Sequence, residues 1–184
     1  MIAETLELEA TDGTATIAKA EDVFTWGIDG DFRKWGLDVK AKPTKATKVQ
    51  VREMIKNGTF AQVFNGLSDN LDSLCLTQSQ IIQFVVKHKK WLRTDGYGTF
   101  FLFKVGKEFF VARVSLDSGE RPYVNASRFS GDYVWGADYP HRFVVPQLAL
   151  GDFENSPSDA LSSLTLESAM KIVKENGYVV YKIM

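Results

Sequence analysis

Two spacings of apolar residues run through this chain, and they predict different elements. Around Asp12-Gly13, the stretches Leu6-Glu7-Leu8-Glu9-Ala10 and Thr14-Ala15-Thr16-Ile17-Ala18 alternate with a period of two. A two-residue turn there predicts a half-buried hairpin, with Leu8 facing Ile17 on one side and Glu9 and Thr16 on the other. Asn57-Gly58 predicts a second hairpin, 49–56 against 59–65, because both dipeptides suit the positive φ angles of type I′ turns. From residue 78 the period changes. Ile81, Phe84, Val85, His88, Trp91 and Leu92 recur at helical spacing, with Gln80, Gln83, Lys87 and Lys90 opposite, so a helix is predicted over 78–93. Thr77 and Gln80 form the capping box that starts it, and Thr94-Asp95-Gly96 ends it.

The helix leads directly into an aromatic hairpin. Gly106-Lys107, a type II′ turn, pairs Phe103 with Phe110 and Phe101 with Ala112 on the face expected to meet Ile81, Val85 and Leu92. Leu102 then faces Val111, and Phe100 faces Arg113, on the other side. Turn signals at Asp117-Ser118-Gly119, Ser130-Gly131-Asp132 and 136–140 divide the sequel into strands at 121–129, 133–135 and 141–145, an antiparallel meander over about 98–145. Residues 151–163 are predicted as a loop, followed by a short helix near 166–176 and a final strand over 178–183. The aromatic segment 23–37 buries Trp and Phe side chains without a clear period, and 40–48 is a connector. The predicted class is α+β, mainly antiparallel sheet (hairpins plus a meander) with two helices packed on it. The expected unit is a single domain, 1–184, with possible sub-lobes at 1–70 and 76–184.

Composition excludes several classes. A chain of 184 residues, 45% hydrophobic and 24% charged, is globular and large enough to bury roughly 70% of its unfolded surface. Cys75 is the sole cysteine, which excludes an intrachain disulfide and a cysteine-rich metal site. No apolar run approaches the ~18 residues of a membrane span, and the start of the chain lacks a signal-peptide pattern, so a cytoplasmic location is expected. The net charge of −1 is unevenly spread: residues 1–31 carry eight acids and one base, whereas 33–57 and 87–113 are basic. Acidic and basic segments lying side by side account for this, and it does not advertise polyanion binding.

Catalytic motifs fail on inspection. Gly96-x-Gly98 lacks its third glycine at Phe101, and Gly106-Lys107 lacks the glycine and hydroxyl of a P-loop. Asp29-Gly30-Asp31 lacks the remaining calcium ligands of an EF-hand loop. No metal or cofactor is expected. One group of residue types does suit acid–base chemistry: Asp138, Tyr139, His141 and Arg142, provided they converge on a substrate. His88 is expected to pack, and Cys75 to be buried between Leu74 and Leu76. Glu53 breaks its local pattern, since a carboxylate on the side of Val51 needs a partner such as Arg33 or a bulge that turns it outward.

Gly96-Tyr97-Gly98-Thr99-Phe100-Phe101-Leu102-Phe103 is similar to the aromatic strand of RNA-recognition motifs. It departs from them at Asp95, in the position of a base, in the ring spacing displaced by Thr99, and in the helix directly before it. The family is not assigned. The expected function is non-catalytic binding of a macromolecular partner, most plausibly protein. The expected contact residues are Lys87, Lys90, Arg93, Phe100, Phe109 and Arg113, since rings beside cations suit interfaces. The alternatives are a small hydrolase or nuclease centred on His141, and single-stranded nucleic-acid binding through the aromatic, basic hairpin face.

Overall fold

A computed structural model describes residues 5–94, 96–139 and 141–147, and the backbone of 181–183. The predicted loop at 151–163 and helix near 166–176 lie outside these residues. Eight strands are described: β1 (Leu6–Leu8), β2 (Gly27–Ile28), β3 (Thr47–Met54), β4 (Thr99–Val105), β5 (Glu108–Leu116), β6 (Pro122–Arg128), β7 (Arg142–Pro146) and β8 (Tyr181–Ile183). They form one sheet in the order β1-β3-β7-β4-β5-β6-β2, with β8 paired to β3. Three helices accompany it: α1 (Asp31–Lys34), α2 (Phe60–Asn65) and α3 (Gln78–Lys87). The fold is α+β.

The sheet is mixed rather than mainly antiparallel. β7 does not extend the meander beside β6. It returns across the sheet and inserts between β3 and β4, parallel to β4 with Phe100 opposite Phe143. Burial explains the placement. Phe143, Val144 and Val145 are all buried, and so are residues 99–103 of β4. Continuous apolar runs belong to central strands covered on both faces, whereas alternation marks a strand with one solvated face. β2 adds a second parallel pair, on β6.

Both predicted amino-terminal hairpins are absent. β1 pairs antiparallel with β3, and Thr11 bridges to Thr44 instead of residue 10 pairing with residue 15. The Asp12 carboxylate accepts the Thr14 amide at 2.9 Å, and Ile17 enters a single 3₁₀ turn whose amide donates to the buried Gln78 side chain. After Asn57-Gly58 the chain forms α2, not a strand. Thr59 and Gln62 make a reciprocal capping box, and Phe60, Val63, Phe64 and Leu67 fall on one buried face. The predicted strand at 133–135 is reduced to one bridge between Trp135 and Gly58.

The hairpin and the start of α3 follow the sequence closely. β4 and β5 have the expected register, from Thr99 opposite Val114 to Val105 opposite Glu108. Gly106 has φ of +60°, while Lys107 keeps a negative φ, as a type II′ turn requires. Thr77 and Gln80 form their capping box, but the helix ends at Lys87, six residues early, and a 3₁₀ turn over Lys89–Trp91 follows. Gln80, expected outside, is buried and donates to Thr47 at 3.2 Å.

Two cores flank the sheet. On one face Phe101, Phe103, Phe110, Val49 and Val51 meet Ile81, Phe84 and Val85 of α3, together with Phe24, Phe32 and Leu37 from the segment around α1. On the other, Phe100, Leu102, Val111, Phe143 and Val145 meet Phe60, Val63 and Phe64 of α2, with Trp135 packed alongside. Glu53 keeps the side of Val51, and its carboxylate lies 3.9 Å from Arg142 rather than beside Arg33. Arg33 is bound instead to Glu21 at 2.6 Å.

Candidate functional site

The proposed acid–base group does not converge. Residues 141 and 143 face the α2 side, where the His141 ring sits among Trp135, Phe100 and Tyr97 at 5.2, 5.1 and 6.1 Å between centroids. Arg142 points to the opposite face, donating to the Trp91 carbonyl at 2.9 Å. Tyr139 and Asp138 are exposed. His141 Nδ1 accepts the Gly98 amide at 3.1 Å, which assigns the proton of the neutral ring to Nε2. Burial, and then the charges of Arg113 and Arg93, hold the imidazole below its ordinary value. A base tuned for catalysis is usually steadied by a carboxylate. Among the described residues none bonds to His141. Cys75 is no better a nucleophile, since burial and then the Asp72 carboxylate push its thiol up to about 12. Among the described residues no group of three or more His, Cys, Asp or Glu is placed to hold a metal ion. No helix there is long and apolar enough to cross a membrane.

The six predicted contact residues do not form one surface. Phe100 is fully buried and Phe109 half-buried, because α2 and the segment after β6 cover that hairpin face. Lys87 belongs to α3 on the other side of the sheet and is paired with Glu9 at 2.7 Å, and Lys90 lies over Trp91. Arg93 stacks on Tyr97 at the sheet's end. Of the six, Arg113 alone lines an open groove.

That groove, about 590 Å³, runs along β6 at its carboxyl end. Its walls come from both sides of the sheet. On the α1 side stands Trp35, 6.4 Å from Phe110, with the Arg128 guanidinium 4.9 Å from the Trp35 ring centroid. On the α2 side stand Tyr133 and Trp135, their centroids 4.8 Å apart, with Arg113 5.6 Å from the Trp135 ring. Among the described residues two guanidiniums and no carboxylate line the groove, although Arg128 reaches Glu108 at 3.5 Å outside it.

Local structure holds these walls in place. Trp135 is pinned by its reciprocal backbone bonds to Gly58, and Ala137 donates to the Asn57 side chain at 2.7 Å. Arg113 is aimed by a chain of side chains: it donates to Asn125, which donates to Asp29. Its stem runs so close to Gly98 that a Cβ there would lie 2.6 Å from Arg113 Cγ. The indole Nε1 of Trp135 and the Nε of Arg113 are buried without an acceptor among the described residues.

The floor of the groove is backbone. Pro122 and Val124 turn their carbonyls to β2, accepting from Trp26 and Asp29, while the Phe129 amide donates to Phe109 of β5. Strand alternation therefore points the polar backbone groups of Ala126 and Arg128 away from β5, to the side that β2 leaves uncovered after Val124. The Arg128 carbonyl accepts Gly131. Among the described residues nothing pairs with the Ala126 amide and carbonyl or the Arg128 amide, which form a strand edge between two aromatic walls.

Sequence reasoning found Arg113 but missed Trp35, Ala126, Arg128, Tyr133 and Trp135. A readable signal was present in the sequence. Three aromatic residues, Phe129, Tyr133 and Trp135, follow β6 among glycines and polar residues, which marks rings carried on a loop. Compared with protein-family models, curated proteins and solved structures, the chain matches none.

Proposed function

We propose that the protein is a binding module for another protein, and that the groove along β6 is the surface it uses. One observation carries this reading: a stretch of strand with no partner among the described residues lies between aromatic walls that the fold holds in position. Natural sheets protect free edges with charge, proline, bulges or a covering segment, because an open edge templates pairing with another chain. Here the edge is flanked by tryptophan and tyrosine, with Tyr133 66% exposed and Val134 54% exposed. Aromatic and arginine side chains bury large area at little entropic cost, and interfaces are enriched in them. The acid–base alternative has less support, since His141 is buried among rings and its imidazole is held below its ordinary value by that burial and by the charges of Arg113 and Arg93.

The test is photocrosslinking. A photoreactive phenylalanine analogue placed at Tyr133 is irradiated in native lysate, with the same analogue at Val86, exposed on α3, as the control position. The expected result is a discrete protein adduct formed from position 133 alone and lost in a Trp35→Ala background. Adducts to RNA only, or the same adducts from both positions, overturn the reading.

A further inference from the structure

The two walls of the groove differ in which face of the sheet they extend, and that difference bears on the form of the partner. We infer that the partner docks as an extended acidic segment that adds to β6 as a further strand, with neighbouring carboxylates meeting Arg128 on one face and Arg113 on the other. The inference rests on the protein-binding reading above and specifies the ligand of that same site.

The main chain sets the mode. The Ala126 amide and carbonyl and the Arg128 amide face one direction, which is the pattern a paired strand satisfies. The free stretch 125–128 is about 10 Å long, enough for roughly three residues of a guest. In strand addition the backbone bonds supply affinity, while pockets for alternate side chains supply specificity. Successive side chains of a guest strand point to opposite faces. One of them meets Trp35 and Arg128, and the next meets Trp135, Tyr133 and Arg113.

Charge sets the chemistry. Each wall contributes one guanidinium, each guanidinium lies on an indole, and no acid among the described residues lines the groove. A cationic guest would face two like charges, while Glu108, 3.5 Å from Arg128, lies outside the groove. A guest with acidic residues at adjacent positions places one carboxylate on each face, and a carboxylate matches the planar donor fork of arginine. Single-stranded nucleic acid shares the taste for rings and cations, but it has no backbone amide to pair with the Ala126 carbonyl.

The test uses the full chain, ¹⁵N-labelled, titrated with the synthetic peptide Thr-Val-Glu-Glu-Val-Thr. Binding is expected to shift the Ala126 and Arg128 amide resonances and to slow their exchange with solvent. The same peptide N-methylated at the glutamates, which removes its own donors, is expected to bind roughly tenfold or more weakly, the equivalent of ~1.4 kcal/mol. The lysine peptide Thr-Val-Lys-Lys-Val-Thr is expected not to bind, and Arg113→Gln and Arg128→Gln are each expected to narrow the preference for glutamate. Ala126→Pro removes only the outward amide of an edge strand, where proline is tolerated, and is expected to weaken binding to the same degree. If that variant does not fold, the N-methylated peptide asks the same question of the wild-type protein.

Equal affinity for the N-methylated peptide overturns strand addition, as do shifts confined to other parts of the sheet. Binding of a uridine hexanucleotide with no binding of the acidic peptide overturns it in favour of nucleic acid. The two readings fail separately. If Ala126→Pro leaves the protein crosslink from position 133 intact while Trp35→Ala abolishes it, the binding module stands and the inserted strand does not.

Discussion

Replacing Phe100 with alanine should unfold the protein at much lower denaturant rather than weaken an interface. The ring lies at the middle of the α2-side core, fully buried, with Phe60, Trp135, His141 and Phe143 at centroid distances of 5.1, 4.8, 5.1 and 5.1 Å. Truncating a buried phenylalanine costs about 3–5 kcal/mol through lost transfer energy and the cavity left behind. The upper part of that range applies here for two reasons. Each aromatic pair is worth about 0.5–1.5 kcal/mol beyond its area. Collapse into the cavity is also restricted, because Trp135 is tied to Gly58 through its backbone and Phe143 lies in a central strand. Taking about 4 kcal/mol and a urea slope of about 2 kcal/mol/M, the midpoint should fall by about 2 M. Urea titration followed by circular dichroism and tryptophan fluorescence reads this directly. Tyr133→Ala, on the exposed rim, should stay within about 0.5 kcal/mol of wild type. A loss below about 1 kcal/mol for Phe100→Ala, at unchanged slope, would refute the two-sided core.

Other consequences follow from single groups. Thr59→Ala removes the cap of α2 and should cost about 1 kcal/mol in the same titration, whereas a strand at that position would scarcely respond. His141 is held below its ordinary value of 6.5, so the unfolded chain takes up its proton at higher pH than the native one. Its contribution to stability is therefore complete above about pH 6.5 and declines as pH falls below it, and His141→Gln should flatten the decline between pH 7 and 5. With its thiol pushed up to about 12, half-buried Cys75 should resist iodoacetamide at pH 8 in the native protein and react once urea unfolds it; rapid native labelling would contradict the raised pKa.

Legibility in the sequence tracked the range of the interactions. The cap of α3 and the register of the Gly106-Lys107 hairpin depend on residues a few positions apart, and both were readable. The failure at Asn57-Gly58 was also local. Thr59 and Gln62 carry the same capping signature as Thr77 and Gln80, and Phe60, Val63, Phe64 and Leu67 have helical spacing, which outweighed the turn dipeptide. The unbroken run Phe100-Phe101-Leu102-Phe103 announces a strand covered on both faces, which sets Phe100 in the core and not among the expected contact residues. Other features were not readable in principle from short windows. The pairing of β1 with β3 and the insertion of β7 join segments about 40 residues apart or more. Glu53 was placed on the right side of its strand, but Arg142 becomes its neighbour only through the β3–β7 register. The groove inherits that difficulty. Trp35 and Trp135 stand on opposite faces, and only the early end of β2 leaves the strand between them free.

Amide hydrogen exchange of the free full-length chain tests that last point most directly. Asn125 and Ser127 donate toward β5, whereas Ala126 and Arg128 face the uncovered side. The account predicts alternation along one strand: the amides of Asn125 and Ser127 protected like those of β5, and those of Ala126 and Arg128 exchanging as freely as exposed loop amides. Equal, strong protection of all four amides in the unliganded protein would mean that the edge is already filled, and would contradict the account.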